Sequence, residues 1–106
     1  MAQEIHIEDI GDYAGQEVTL KGWLYNSTGK GRLHFLQLRD GTGIVQAVAF
    51  KPELDPELFE TIKRLGQESS LIVTGTVRQD ERAPGVPGGY ELGVSELTVL
   101  QEADEY

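Results

Sequence analysis

A small closed β-barrel carrying one helix is the fold the sequence predicts, and three observations predict it. Five runs alternate apolar and polar residues in the manner of half-buried strands. Gly22 interrupts the first run in mid-strand, where a barrel strand must bend to serve two sheet faces. A single amphipathic pattern of helical period stands between the third and fourth runs. At 106 residues the chain suits one compact domain with a single core.

Each element has its own signal. Residues 4–15 read as a lead-in with a helical turn around Ile7 to Ile10. Residues 17–25 form the first strand, with Val18, Leu20, Gly22 and Leu24 on one face and Thr19, Lys21, Trp23 and Tyr25 on the other. Trp23 is expected to be a structural anchor rather than a ligand contact. Residues 26–31 are expected to be a loop; the run Gly29-Lys30-Gly31 lacks the spacing of a phosphate-binding loop. Residues 32–39 make the second strand, residues 40–43 (DGTG) a tight hairpin turn, and residues 44–50 the third strand. Gln46 is the polar member of that strand, so it sits at the sheet surface or in a hydrogen-bonded niche.

Lys51-Pro52 ends the third strand. Leu54, Leu58, Ile62 and Leu65 then recur at helical spacing, with Asp55 as N-cap and Pro56 in the first turn. This predicts a helix of about three turns that plugs the barrel. Residues 70–79 form the fourth strand, residues 80–89 (DERAPGVPGG) a flexible loop, and residues 89–101 a fifth strand bent near Ser95. Five strands with a helix before the fourth is the plan of the OB-fold, a Greek-key barrel. An SH3-like barrel is the runner-up, disfavoured by the long helix. Residues 1–101 are assigned to the barrel and the acidic residues 102–106 to the start of a linker.

Several function classes are excluded. Cysteine is absent, which removes disulfides, thiolate nucleophiles and cysteine metal sites. The N-terminus lacks the basic start and apolar run of a secretory signal. No stretch approaches the roughly 18 apolar residues of a membrane span, so a cytoplasmic domain is expected. His6 and His34 stand apart, and Ser69-Ser70 has no base nearby. No catalytic constellation or cofactor site emerges, and a binding module is the reading that remains.

The formal charge of −9 counts against simple electrostatic binding of nucleic acid. Its distribution does not: residues 18–39 hold four basic residues (Lys21, Lys30, Arg32, Arg39) and no acid. In that same block, placing Leu36 and Leu38 in the core turns Phe35, Gln37 and Arg39 outward. An outward aromatic among polar and basic neighbours is a stacking platform for a base. The competing reading packs Phe35 under a loop or against a partner domain.

The run GWLYNSTGKGRLHFLQLRDGTGIVQAV, with its pattern GW, basic loop and F-x-x-L-R-D-G-T-G-x-x-Q, resembles the N-terminal anticodon-binding domain of class IIb aminoacyl-tRNA synthetases. The likeness extends from residue 6 to about residue 100 and includes GYELGV. RAPGVPGGYEL and the DGTG turn look most like the bacterial asparaginyl branch, with the aspartyl branch second. The resemblance implies that Phe35 stacks on U35 of the tRNA, that Gln46 hydrogen-bonds the same uracil, and that Glu91 contacts G34. It also implies backbone contacts for Arg39, Lys30 and Arg32. Family members commonly carry arginines after the GW, where Tyr25-Asn26-Ser27-Thr28 is neutral, so the base-reading positions are kept and the electrostatic ones thinned. The family's ATP- and magnesium-dependent ligase chemistry belongs to a larger C-terminal domain. A monomer that binds the tRNA anticodon loop without aminoacylating it is therefore expected. The alternatives are an OB module binding single-stranded nucleic acid without sequence choice, and an engineered or degenerate barrel that binds no RNA.

Overall fold

The computed structural model describes residues 3–65, 69–82 and 85–101. These residues hold the strands β1 (Gln3–Glu4), β2 (Glu17–Lys30), β3 (Leu33–Arg39), β4 (Ile44–Phe50), β5 (Ser70–Gln79) and β6 (Gly85–Gln101), and the helix α1 (Pro56–Arg64). Two 3-10 helices, Ile7–Tyr13 and Lys51–Glu53, complete them. The strands follow the order β1-β2-β3-β4-β6-β5, and β2 also pairs with β5, which closes the five long strands into a barrel. β4 and β6 run parallel; the other pairs of the barrel are antiparallel. This is the predicted OB-fold plan.

Alternation builds the core. Leu36 and Leu38 of β3, Val45, Ala47 and Ala49 of β4, and Leu71, Val73 and Val77 of β5 all point inward and are buried. β2 serves both faces as expected: its segment from Glu17 to Trp23 pairs with β5, and that from Trp23 to Lys30 with β3. Gly22 sits at the handover, where a Cβ would run into the backbone carbonyl of Arg39. The register shift itself falls at Tyr25. The predicted bend near Ser95 is also present. Pairing with β5 steps from Val94 to Glu96 across Ser95, whose Oγ donates to the carbonyl of Thr74 at 3.0 Å.

Four expectations need correction. The predicted loop of residues 26–31 is strand: β2 continues to Lys30 and pairs with β3 down to Lys30 opposite Leu33, leaving Gly31 and Arg32 as the turn. Gly31, at φ 63°, takes the left-handed conformation such a turn needs, so a polar composition gave no bar to pairing. The expected loop of residues 80–89 is likewise partly strand, because β6 starts at Gly85 and pairs with β4 there; residues 83 and 84 lie outside the described residues. Trp23 is not an anchor: it faces outward and is 42% exposed. α1, at nine residues or about two and a half turns, is slightly shorter than predicted, and its buried stripe adds Phe59 to Leu54, Ile62 and Leu65, with Leu58 packed against the core. Asp55 caps it as expected, accepting from the Glu57 N–H at 2.8 Å.

The 40–43 turn does more than join β3 to β4. Asp40 Oδ1 accepts from the Thr42 and Gly43 N–H groups and from Thr42 Oγ1, while Oδ2 accepts from the Ile7 N–H at 2.8 Å. Thr42 Oγ1 in turn accepts from the Glu8 N–H. The turn thereby fixes the 3-10 helix whose Ile7 and Ile10 enter the core. Burial pushes the Asp40 carboxyl up, but hydrogen bonds from Thr42, Ile7 and Gly43 outweigh it and hold the group below its ordinary range. No helix among the described residues is long and apolar enough to cross a membrane.

Candidate nucleic-acid interface

The residues that alternate with the core form the barrel's outer face, and register brings several of them into line. Asn26 lies opposite Gln37, Gln37 opposite Gln46, Gln46 opposite Glu91, and Glu91 opposite Arg78. One polar row thus crosses β2, β3, β4, β6 and β5. Two residues further along the strands a second row runs through Thr28, Phe35, Val48, Gly93 and Thr76. Directly opposed side chains stand about 5 Å apart at Cβ and the two rows about 7 Å apart along the strands, so one planar heterocycle can touch members of both rows.

Phe35 is half-buried rather than fully exposed, with Val48 directly across from it on β4. It lines a hollow of about 380 Å³ together with Asn26, Ser27, Thr28, Gln37 and Gln46. The hollow offers one aromatic ring and three amides, each amide able to donate and to accept. Gln46 is half-buried at the sheet surface, the first of the two placements its sequence allowed.

Glu91 is largely enclosed for a charged group, its side chain 18% exposed against 51% for Arg78. Arg78 Nη2 lies 3.3 Å from Glu91 Oε1 and offsets its charge. Gly93 makes this possible, because a Cβ there would come within 3.0 Å of Arg78 Nη2. A carboxylate so balanced can accept from a guanine's N1–H and N2–H₂ edge beside a polyanion.

The basic residues lie around these rows. Arg39 ends β3 on the same outer face, with its guanidinium 5.5 Å from the centre of the Tyr25 ring. Lys30 and Arg32 are exposed at the β2–β3 hairpin. The fold therefore gathers Phe35, Gln46 and Glu91 on one surface and leaves Lys30, Arg32 and Arg39 at its margins. Arg78 escaped sequence reasoning because only the β5–β6 register sets it against Glu91. Gln37 was legible as an outward residue, but its place between two amides needed the pairing. Of the two histidines, His6 is exposed, 3.9 Å from Asp40, whereas His34 is buried with an unpaired Nε2 on the inner face. Burial, and then the charge of Lys63, lower the pKa of His34. Among the described residues no group of three or more acids and histidines is placed to hold a metal ion.

Comparison with known proteins gives the same fold and a consistent kinship. Residues 18–100 match the tRNA anti-codon family, described as an OB-fold nucleic acid binding domain. The chain is 54% identical over 99 residues to the asparagine–tRNA ligase of Koribacter versatilis, covering 93% of this chain and 22% of that protein. It is 46% identical to the asparagine–tRNA ligase of Streptococcus pneumoniae, covering all of this chain and 25% of the relative. Among solved structures it superposes at a TM-score of 0.88 on asparaginyl-tRNA synthetase from Pyrococcus horikoshii complexed with asparaginyl-adenylate, at 43% identity over all of this chain and 24% of that one. The chain thus spans about a quarter of the length of the ligases it matches.

Proposed function

The chain belongs to the tRNA anti-codon family of OB-fold nucleic acid binding domains, and from that premise we propose that it is the anticodon-binding module of an asparagine–tRNA ligase. In this reading Phe35 stacks on U35, Gln46 hydrogen-bonds that base's edge, and Glu91 accepts from the edge of G34. Stacking supplies affinity that any base can exploit, roughly 1–3 kcal/mol. The amide and the carboxylate supply the choice of base. Lys30, Arg32 and Arg39 approach the phosphates at the margin. ATP, magnesium and the amino acid are handled elsewhere in such a ligase, so the chain binds RNA and does not aminoacylate it.

The observation that carries the reading is the polar row Gln37–Gln46–Glu91 set beside Phe35 on one outer face. A generic single-strand binder needs the ring but not a carboxylate offset by Arg78 in the middle of its binding surface. With a formal charge of −9 leaving little to counterion release, affinity in this reading comes mainly from base contacts.

The test is a titration at low and at physiological salt with an anticodon stem-loop carrying GUU, and with the same loop replaced at G34 and U35. The expected result is a preference for GUU that survives the higher salt. Equal, salt-sensitive binding to both loops would instead identify a module that binds single strands without sequence choice. Binding to neither would identify a barrel without RNA function of its own.

A further inference from the structure

Asn26 is the sole asparagine of the chain and stands in the hollow beside Phe35, Gln37 and Gln46. The β2–β3 register shifts between Leu24 and Asn26, so Tyr25 and Asn26, consecutive residues, are both exposed. Beyond that bulge the hairpin closes through a two-residue turn, with Lys30 opposite Leu33. The pairs that exchange backbone hydrogen bonds are then Lys30–Leu33, Thr28–Phe35 and Asn26–Gln37. Ser27 falls between two of these pairs, so its N–H points away from β3. β5 pairs with β2 only as far as Trp23, and no described strand lies on that side to take the N–H. It donates instead to Asn26 Oδ1 at 2.9 Å. The Asn26 carboxamide is thereby folded back onto the backbone nitrogen of the next residue.

We infer that Asn26 is a site of spontaneous deamidation, and that the carboxylate left in the hollow weakens RNA binding. The second half rests on the anticodon reading above; the first rests on the geometry alone. Once deprotonated, the Ser27 backbone nitrogen attacks Asn26 Cγ. The N–Cγ bond forms, the Cγ–Nδ2 bond breaks, and the departing nitrogen takes a proton from water and leaves as ammonia. The closed succinimide then adds water. Opening at Cγ gives aspartate, and opening at the backbone carbonyl gives isoaspartate. Nothing is oxidised or reduced, and the sum is one water consumed and one ammonia released. The exposure of Asn26 admits that water, and the small side chain of Ser27 leaves its nitrogen uncrowded. Asp40-Gly41 is another dipeptide open to such ring closure, but the fold protects it. Its carboxylate is engaged by Ile7, Thr42 and Gly43 rather than by the Gly41 N–H. Either product at position 26 sets a negative charge opposite Gln37, on a chain whose formal charge is already −9. Isoaspartate also lengthens the main chain of β2 between the bulge and the hairpin end that carries Lys30 and Arg32.

The test ages the protein and then asks it to bind. Wild type, Asn26→Gln and Ser27→Val are incubated at neutral and at mildly alkaline pH, and their peptides are followed by mass spectrometry and by enzymatic methylation of isoaspartate. Wild type should gain acid at position 26, faster at the higher pH because the nucleophile is the deprotonated amide. Ser27→Val, whose branched side chain crowds the nitrogen, should slow the reaction, and Asn26→Gln, which must close a larger ring, should all but stop it. Acid formed at position 26 no faster than at the chain's glutamines overturns the site. Aged wild type and fresh Asn26→Asp are then titrated against the GUU stem-loop. Asn26→Asp is expected to bind about fivefold more weakly than fresh wild type, the effect of one unit charge close to the RNA at high dielectric, with a smaller loss at higher salt. Aged wild type should lose affinity in step with its modified fraction. Binding by Asn26→Asp equal to that of fresh wild type overturns the effect on recognition and leaves the anticodon reading standing. A wild type that deamidates but binds no loop even when fresh overturns that reading and keeps the modification site.

Discussion

The inner and outer faces of β3 and β4 are made by the same fourteen residues (seven per strand) and do opposite work. Inward, Leu36, Leu38, Val45, Ala47 and Ala49 are closed off from water. Outward, Phe35, Gln37, Gln46 and Val48 build a hollow and the start of a cleft. The period of two that makes a strand thus assigns stability to one set of positions and recognition to the other, with neighbours in sequence falling in different sets. Substitutions at adjacent residues should separate the two roles cleanly.

The largest effect is expected on the inner face. Leu36→Ala removes a fully buried side chain from between two paired strands and should cost about 3 kcal/mol of stability. Denaturant unfolding would measure it, and a cost below about 1 kcal/mol would mean that the inner face is not the core. Next comes the turn that joins the two strands. Asp40→Ala leaves the Ile7, Thr42 and Gly43 N–H groups without their acceptor and should cost about 2 kcal/mol. The same carboxylate sets an acid limit. Because its folded pKa lies below the ordinary 3.8, its contribution is present above that value and disappears as pH falls through the folded pKa. Unfolding followed between pH 5 and pH 2 should therefore show a steeper acid loss in wild type than in Asp40→Ala.

A smaller effect belongs to the outer face. Glu91→Gln keeps the shape of the side chain but removes its charge, leaving Arg78 without its counterpart. Preference for guanine at position 34 should fall about tenfold with little change in melting temperature; an unchanged preference in the titration would remove Glu91 from base reading. The smallest effect is a pH dependence at the inner end of β3. Burial, then Lys63, place the His34 pKa below its ordinary 6.5, so the neutral ring is the folded form. The stability it lends is present above 6.5 and is lost as pH falls through the lowered folded value. In His34→Leu the drop in melting temperature between pH 7 and pH 5 should be shallower.

The two faces also differed in how far they could be read from sequence. Leu36 and Leu38 announced the core by alternation alone, and Phe35 and Gln37 followed as their outward complements, while Gln46 was left with two placements between which only the structure decides. The strand limits of β4 and β5 were legible for the same reason, because apolar alternation stops sharply at Lys51 and at Asp80. Polar segments were not legible. Asn26 to Lys30 extend β2 because a left-handed Gly31 lets the chain fold back and pair, a gain in backbone hydrogen bonds that no side-chain pattern signals. Trp23 was placed on the right face by alternation, but its size suggested an anchoring role that its exposure does not support. The pairing of Arg78 with Glu91 is a product of register, which sets residues far apart in sequence side by side.

Recognition by this face depends on Phe35 turning outward to take a base without holding up the fold. The most direct measurement is Phe35→Ala, with its melting temperature and its binding to the GUU stem-loop taken on the same preparation. A melting temperature close to wild type and binding weakened at least about fivefold are expected. A large fall in melting temperature, or unchanged binding by a folded variant, would contradict it.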